Sequence, residues 1–282
     1  MRLERFKILN IWAVLAAACA LLPPASGARA AELAAVVSSD SGPYAEALAG
    51  FKGAMVIPFD LYDASKPGFT PPEETRFVVA FGVKAAALDY PPGTHLLYAL
   101  APVGRRGLDW HEISMLPPPG EALAAYKTLQ PQLRRLAVFW AKYPGEGYMR
   151  ELAREGAALG VEVVPVRMAS PDFFPERLRS LMGKMDAFWL MPDPALITKS
   201  GLLVLSNFSC SNSIPFYAPT FALVLEGATA SYSPDFAAAG ASAAQAISNI
   251  YNGGEQRKVT YPGRSAMRVN EQLREKCGWP LK

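Results

Sequence analysis

Leu33-Ala34-Ala35-Val36-Val37 is an unbroken apolar run, and Ser38-Ser39-Asp40-Ser41-Gly42-Pro43 follows it directly. After that polar stretch Tyr44, Leu48 and Phe51 fall at helical spacing. A continuous apolar run reads as a strand buried on both faces, serine, aspartate, glycine and proline as a turn, and the 3–4 spacing as an amphipathic helix. Strand, loop and helix therefore succeed one another at the start of the chain. The same order recurs onward. Met55–Tyr62 and Phe77–Phe81 read as strands, Lys84–Leu88 as a short helix and His95–Leu100 as a strand. Residues 101–119 lack periodicity and read as an irregular crossing. Beyond it the alternation resumes with a helix over 120–129, a strand over 136–140 and a helix over 148–159. It continues to a long alanine-rich helix over 236–251 and short extended pieces near 259–261 and 266–270. Such alternation calls for parallel sheets with helices on their faces, and the break near residue 110 divides about ten strands between two sheets.

In open α/β sheets a ligand sits at the carboxyl ends of the strands, which directs attention to the loops there. Ser39, Asp40, Ser41 and Tyr44 precede or open a helix, whose N-terminal N–H groups suit an anion. One of the three polar residues is also expected to cap that helix. Gly82 and Val83 stand at a second strand-to-helix turn, where glycine permits close backbone approach. Tyr143, Glu146 and Tyr148 cluster at a third, an aromatic pair beside an acid. Asp193 lies between two prolines after an apolar strand, where it either shapes the turn or receives an ammonium or hydroxyl group. Tyr217, in another short strand over 215–218, is a further candidate for the pocket. The run Phe188-Trp189-Leu190-Met191 reads as core.

The N-terminus has its own logic. Arg2, Arg5 and Lys7 precede an apolar run from Ile8 to Leu22, Pro23 and Pro24 break it, and Ala28-Arg29-Ala30 supplies small residues at the cleavage positions. This predicts a secretory signal peptide cut after Ala30, with lipidation at Cys19 as the alternative. The run is shorter than the roughly 20 apolar residues of a spanning helix. Removing Arg2, Arg5, Lys7, Arg29 and Glu4 takes the formal net charge of +3 to zero. No basic surplus is left to point to nucleic acid.

An oxidising compartment would permit a disulfide between Cys210 and Cys277, although sequence does not bring them together. Neither a zinc cluster nor a cofactor motif is present. His111-Glu112-Ile113-Ser114-Met115 begins like a zinc-protease helix, but Met115 replaces the second histidine. Without a Gly-x-Ser-x-Gly elbow or a phosphate loop, no catalytic residue is assigned. A carboxylate pair for glycoside hydrolysis keeps a hydrolase as a distant alternative.

The order of motifs resembles the substrate-binding proteins of ABC-type importers, in the branch that includes aromatic amino-acid binders. The resemblance is carried by Val36–Tyr44 with Glu46–Phe51, by Val79–Ala86, and by Leu97–Leu100. Arg134–Phe139, Asp186–Pro194, Ile214–Ala218 and Ser233–Phe236 extend it over the mature chain. It implies two Rossmann-like lobes with parallel sheets, of the periplasmic-binding-protein type I kind. It also implies a periplasmic monomer that takes a small-molecule ligand and docks on a membrane permease. A sensing subunit for a membrane receptor or kinase is the alternative. Residues 31–110 are expected to form the first lobe, with about 236–265 returning to it, 111–235 the second, and 266–282 a C-terminal segment. The stretch between Phe51 and Phe77 is short for the family, so the first lobe should lack a full helix there. Val83 stands where the family often has threonine, which removes a hydroxyl from that turn.

Overall fold

The computed structural model of the protein describes residues 31–71, 73, 75–103 and 110–282. The expected leader, its cleavage point and Cys19 lie outside the described residues, as do residues 104–109 of the expected crossing.

Two six-stranded sheets organise the chain. The first contains β1 (Leu33–Val37), β2 (Asp60–Asp63), β3 (Phe77–Phe81), β4 (His95–Ala99), β5 (Trp110–Ile113) and β11 (Val259–Thr260), in the order β11-β5-β4-β3-β1-β2. All of its pairings are parallel. The second contains β6 (Arg135–Trp140), β7 (Glu162–Arg167), β8 (Ala187–Leu190), β9 (Phe216–Tyr217), β10 (Ala230–Pro234) and β12 (Ser265–Val269), in the order β12-β10-β9-β8-β6-β7. Only the β10–β12 pair in it is antiparallel.

The apolar runs behave as buried parallel strands should, with every residue of β1 and β3 buried. Leu33, Ala35 and Val37 join Phe77, Val79 and Phe81 on one face of the first sheet. Two helices cover that face, α1 (Gly42–Ala54) and the alanine-rich α8 (Phe236–Tyr251). They touch backbone to backbone. A Cβ on Gly50 would stand 2.0 Å from the Ala237 carbonyl oxygen, and one on Gly240 would stand 1.8 Å from that of Ala47. The opposite face carries Ala34, Val36, Val78, Ala80 and Tyr98. Among the described residues no helix joins β2 to β3. That face is covered by Ala64, by Phe69 and by Ala85 and Ala86 of the short helix α2 (Val83–Ala86). The first lobe is thus shortened where the sequence resemblance placed the gap.

The second sheet is covered on both faces. The helices α3 (Pro119–Leu129) and α4 (Glu146–Ala158) pack on Leu136, Val138 and Trp189. On the other side α5 (Phe174–Ser180), α6 (Lys199–Asn212) and α7 (Phe221–Leu225) pack on Ala137, Phe139 and Phe188. The chain ends with α9 (Glu271–Arg274) and a strap in which Cys277 is bonded to Cys210 of α6. The pairing that the sequence left open is therefore present.

Two expectations need correction. The strand expected over Met55–Tyr62 begins only at Asp60, because pairing with β1 starts at Ala34–Asp60 and Pro58 has no N–H to donate. The crossing expected over 101–119 contains a strand of the first sheet, β5, which pairs with β4 on one side and β11 on the other. Its brevity and its polar His111 and Glu112 hid it. The chain leaves the first sheet after Ile113, returns to it through α8 after Pro234, and leaves again after Thr260.

Candidate functional site

Where β1 and β3 end, Ser38 donates its N–H to the Phe81 carbonyl at 2.9 Å, and its hydroxyl accepts the Ala85 N–H at 2.9 Å. Ser38 thus caps α2 from a neighbouring loop. Gly82 sits at φ +93°, and a Cβ there would meet the Tyr44 ring at 2.4 Å, so glycine is what lets that ring lie across the turn. The expected cap of α1 by Ser39, Asp40 or Ser41 is not made. Ser41 is its N-cap residue without a side-chain bond, and Pro43 removes one of the N–H groups such a bond would use. The hydroxyls of Ser39 and Ser41 lie 2.9 Å apart instead. Val83 is partly exposed at the start of α2. These residues form one cluster at the carboxyl edge of the first sheet.

A second cluster lines a cavity of about 640 Å³. Lys142–Tyr148, the turn after β6 together with the start of α4, forms one wall of it. Val103, Glu112 and Val259 from the side of the first sheet face this turn, and Ser114 and Tyr261 come from the crossings. Arg150 and Glu151 of α4 complete the lining. Tyr143 is buried, donates its hydroxyl to Glu112 Oε1 at 2.8 Å and accepts the Met115 N–H at 3.1 Å. Tyr148 donates to the Pro117 carbonyl at 3.0 Å. The Glu112 bond runs from the second lobe to β5 of the first sheet, and the Met115 and Pro117 bonds run to the segment that leaves that sheet. Burial, reinforced by the Glu112 carboxylate, pushes the Tyr143 phenol well above its ordinary pKa, and burial does the same at Tyr148. Both therefore act as neutral donors. Tyr261 is pushed up to about 12 by burial, with the carboxylates of Glu151 and Glu112 adding to the effect. Glu146 opens α4 and pairs with Arg167 at 3.5 Å, whose guanidinium lies over the Trp140 ring.

The structure brings together Tyr143, Glu146 and Tyr148 at this cavity, whereas Ser39, Asp40, Ser41, Tyr44, Gly82 and Val83 do not line it. Asp193 is placed beneath the site. It is 3% exposed, and its Oδ2 accepts the N–H groups of Lys142 at 2.6 Å and Tyr143 at 3.0 Å. Its Oδ1 accepts that of Ala195 at 3.0 Å. Of the two roles open to it, the geometry supports the turn: this carboxylate holds the wall of the cavity from behind. Tyr217, expected at the pocket, is in the core. It stacks on Tyr126 with ring centroids 4.0 Å apart and donates its hydroxyl to Gln130 Oε1 at 2.7 Å. Sequence reasoning missed Glu112, Arg150, Glu151 and Tyr261 as lining residues. Glu112 and Tyr261 flank crossings whose positions depend on long-range pairing, and the two α4 residues look like an ordinary solvated helix face.

Among the described residues no group of three or more His, Cys, Asp or Glu is placed to hold a metal ion. Nor is any helix among them long and apolar enough to cross a membrane.

No family model and no curated protein matches the sequence. Solved structures do match the fold. One is the ABC domain in complex with L-Trp from Streptococcus pneumonia, with 15% identity, TM-score 0.59, and coverage of 89% of this chain and 95% of that one. Another is the ligand-free, open structure of a substrate binding protein with adhesive properties from Clostridium difficile, with 16% identity, TM-score 0.60, and coverage of 88% and 94%. A periplasmic binding ribose operon repressor protein from Lactobacillus acidophilus matches at 10% identity and TM-score 0.51, covering 83% and 96%. With two α/β sheets, three crossings and a cavity lined from both sides, the chain has the two-lobed fold of type I periplasmic binding proteins.

Proposed function

We propose that this protein is an exported solute-binding protein. It captures a small molecule between its lobes, performs no chemistry on it, and delivers it to an ABC-type importer. The observation that carries this reading is the cavity, whose lining comes from both sheets and from the segments that join them. A ligand seated there contacts both lobes at once. Only such shared contacts favour a closed form over an open one. The signal-like leader supports action in the periplasm after cleavage following Ala30, as a monomer free to reach a permease. Amino-acid-like and other small polar or aromatic metabolites are the candidate ligands.

Thermal-shift screening of the mature chain against amino acids, amines, carboxylates and sugars tests the reading. A ligand at one hundred times its Kd adds about 2.7 kcal/mol to stability, a readily measured shift. A flat panel together with turnover of any ester or glycoside would replace capture with hydrolysis.

The second reading is a sensing subunit that passes its conformational signal to a membrane receptor or kinase. The shortened first lobe favours it, since the face that has no helix between β2 and β3 among the described residues offers a different surface to a partner. Copurification with a permease rather than a kinase separates the two.

A further inference from the structure

Resting on the export and cleavage proposed above, we propose that Asp60 receives the amino terminus that cleavage creates. The two form an ion pair that fastens the edge of the first sheet and that the precursor lacks. The Ala31 N–H is donated to Asp60 Oδ2 at 2.9 Å, and both residues are half-buried. While Ala31 is joined to Ala30, its nitrogen is a neutral amide with one proton to donate. Hydrolysis of that peptide bond adds one water across it, leaving a carboxylate on Ala30 and an amine on Ala31. An α-amino group has an ordinary pKa of about 7.7–8.0, so this one takes up a proton at neutral pH. A bond with charge on one side thereby gains charge on both, and Coulomb attraction adds to it.

The position of the contact gives it an effect. β2 is the outermost strand of the first sheet, and its neighbour there is β1. Among the described residues no helix follows β2 to hold it down. Its ladder runs from Ala34–Asp60 to Val37–Asp63, and the Ala64 N–H closes the far end on the Val37 carbonyl at 2.8 Å. The Ala31–Asp60 contact closes the near end, ahead of the first pair. The other acid of β2, Asp63, is committed locally, since it accepts the Ser65 N–H at 2.8 Å.

The contact also selects the place of the cut. Cleavage after Ala28 would leave Arg29 and Ala30 ahead of Ala31, putting up to about 7 Å of chain between the charge and Asp60. Cleavage after Ala31 would remove the donor. The cut after Ala30 delivers the ammonium to the carboxylate, and it is the cut that the small residues Ala28 and Ala30 mark.

Two forms of the mature chain test this, one beginning at Ala31 and one carrying an extra Ser-Gly dipeptide ahead of it. The extension keeps the Ala31 N–H as a neutral donor and moves the charge two residues away. Each form is made with the native Asp60 and as Asp60→Asn, whose amide oxygen still accepts an N–H. Hydrogen exchange of the β2 amides is measured, with β8 of the second sheet as the internal control. A half-buried pair contributes modestly, so β2 protection should be about two- to fivefold higher in the chain beginning at Ala31 than in the extended one. In Asp60→Asn that gap should vanish. Equal protection in the two forms with native Asp60 would overturn the proposal, as would a gap that survives in Asp60→Asn. The mass of the chain exported with its own leader is the second readout. A chain beginning at Ala31 supports the proposal, one beginning elsewhere overturns it and leaves export standing, and one that keeps its leader removes both. Solute capture is read separately, by the thermal-shift panel.

Discussion

Replacing Asp193 by alanine separates a residue that builds the cavity from one that touches its contents. The carboxylate accepts three backbone N–H groups, those of Lys142 and Tyr143 on one oxygen and of Ala195 on the other, and it is 3% exposed. Each donor stranded without a partner in a buried place costs roughly 1–3 kcal/mol. The Lys142 and Ala195 N–H groups lie nearer solvent and recover part of this through water. A total of about 3–5 kcal/mol is the reasonable expectation. For a domain of this size that lowers Tm by roughly 10 °C, since each kcal/mol shifts it by about 2–4 °C. Asp193→Asn keeps one carbonyl oxygen for Lys142 and Tyr143 but turns an NH2 toward Ala195, so it should lie between the wild type and Asp193→Ala. The assay is thermal unfolding by circular dichroism, run beside calorimetric titration of a ligand found by screening. An Asp193→Ala protein with unchanged Tm and abolished ligand binding would refute the reasoning, because the acid would then be serving the ligand and not the turn.

Other consequences can be checked by the same melts. Gly240→Ala places a Cβ 1.8 Å from the Ala47 carbonyl oxygen and should destabilise the α1–α8 seam by about 3 kcal/mol, whereas Gly53→Ala, with open space around it, should stabilise α1 by up to about 1 kcal/mol. The Cys210–Cys277 bond closes a separation of 67 residues that runs out to the first sheet and back, so the double serine variant should lose about 4 kcal/mol on chain-entropy grounds. Asp235 caps α8 through the Ala238 N–H and also meets Arg264 at 2.8 Å; the Ala238 bond is the main cause of its lowered pKa. A depressed folded-state pKa contributes stability that is fully present above the unfolded value near 3.9 and lost as pH falls through the folded one. The Tm gap between the wild type and Asp235→Asn should therefore be constant from pH 5 to 7 and close below pH 4.

The fold was legible wherever a strand is a continuous apolar run. Leu33–Val37, Phe77–Phe81 and the Phe188–Met191 run announce strands buried on both faces, and glycine, proline and serine mark their exits. β5 was hidden because Trp110-His111-Glu112-Ile113 has no such run. Its place is fixed by pairing with β4 through Leu96–Trp110 and with β11 through Val259–Glu112, the latter between residues far apart in sequence. The same cause hid Glu112 as a lining residue. Tyr143, Glu146 and Tyr148 were legible as a group because a strand-to-helix turn gathers them locally. Tyr217 was not, because β9 pairs over only two residues, too few to show in sequence which face of the sheet each side chain takes. In the fold Tyr217 shares a face with Trp189 and Val138, and Phe216 shares the other with Phe188. Asp193 was half legible. Aspartate between prolines signals a turn, but the Lys142 and Tyr143 N–H groups it gathers come from a different strand exit.

The claim at the centre of this account is that a solute is held between the lobes, against Glu112, Tyr148 and Tyr261. A crystal structure of the mature chain grown with a ligand identified by thermal shift tests it most directly. Ligand density is expected in that cavity, with contacts to Glu112 from the first sheet and to the turn around Tyr148 from the second. Density on the outside of either lobe, with this cavity holding only water, would contradict it.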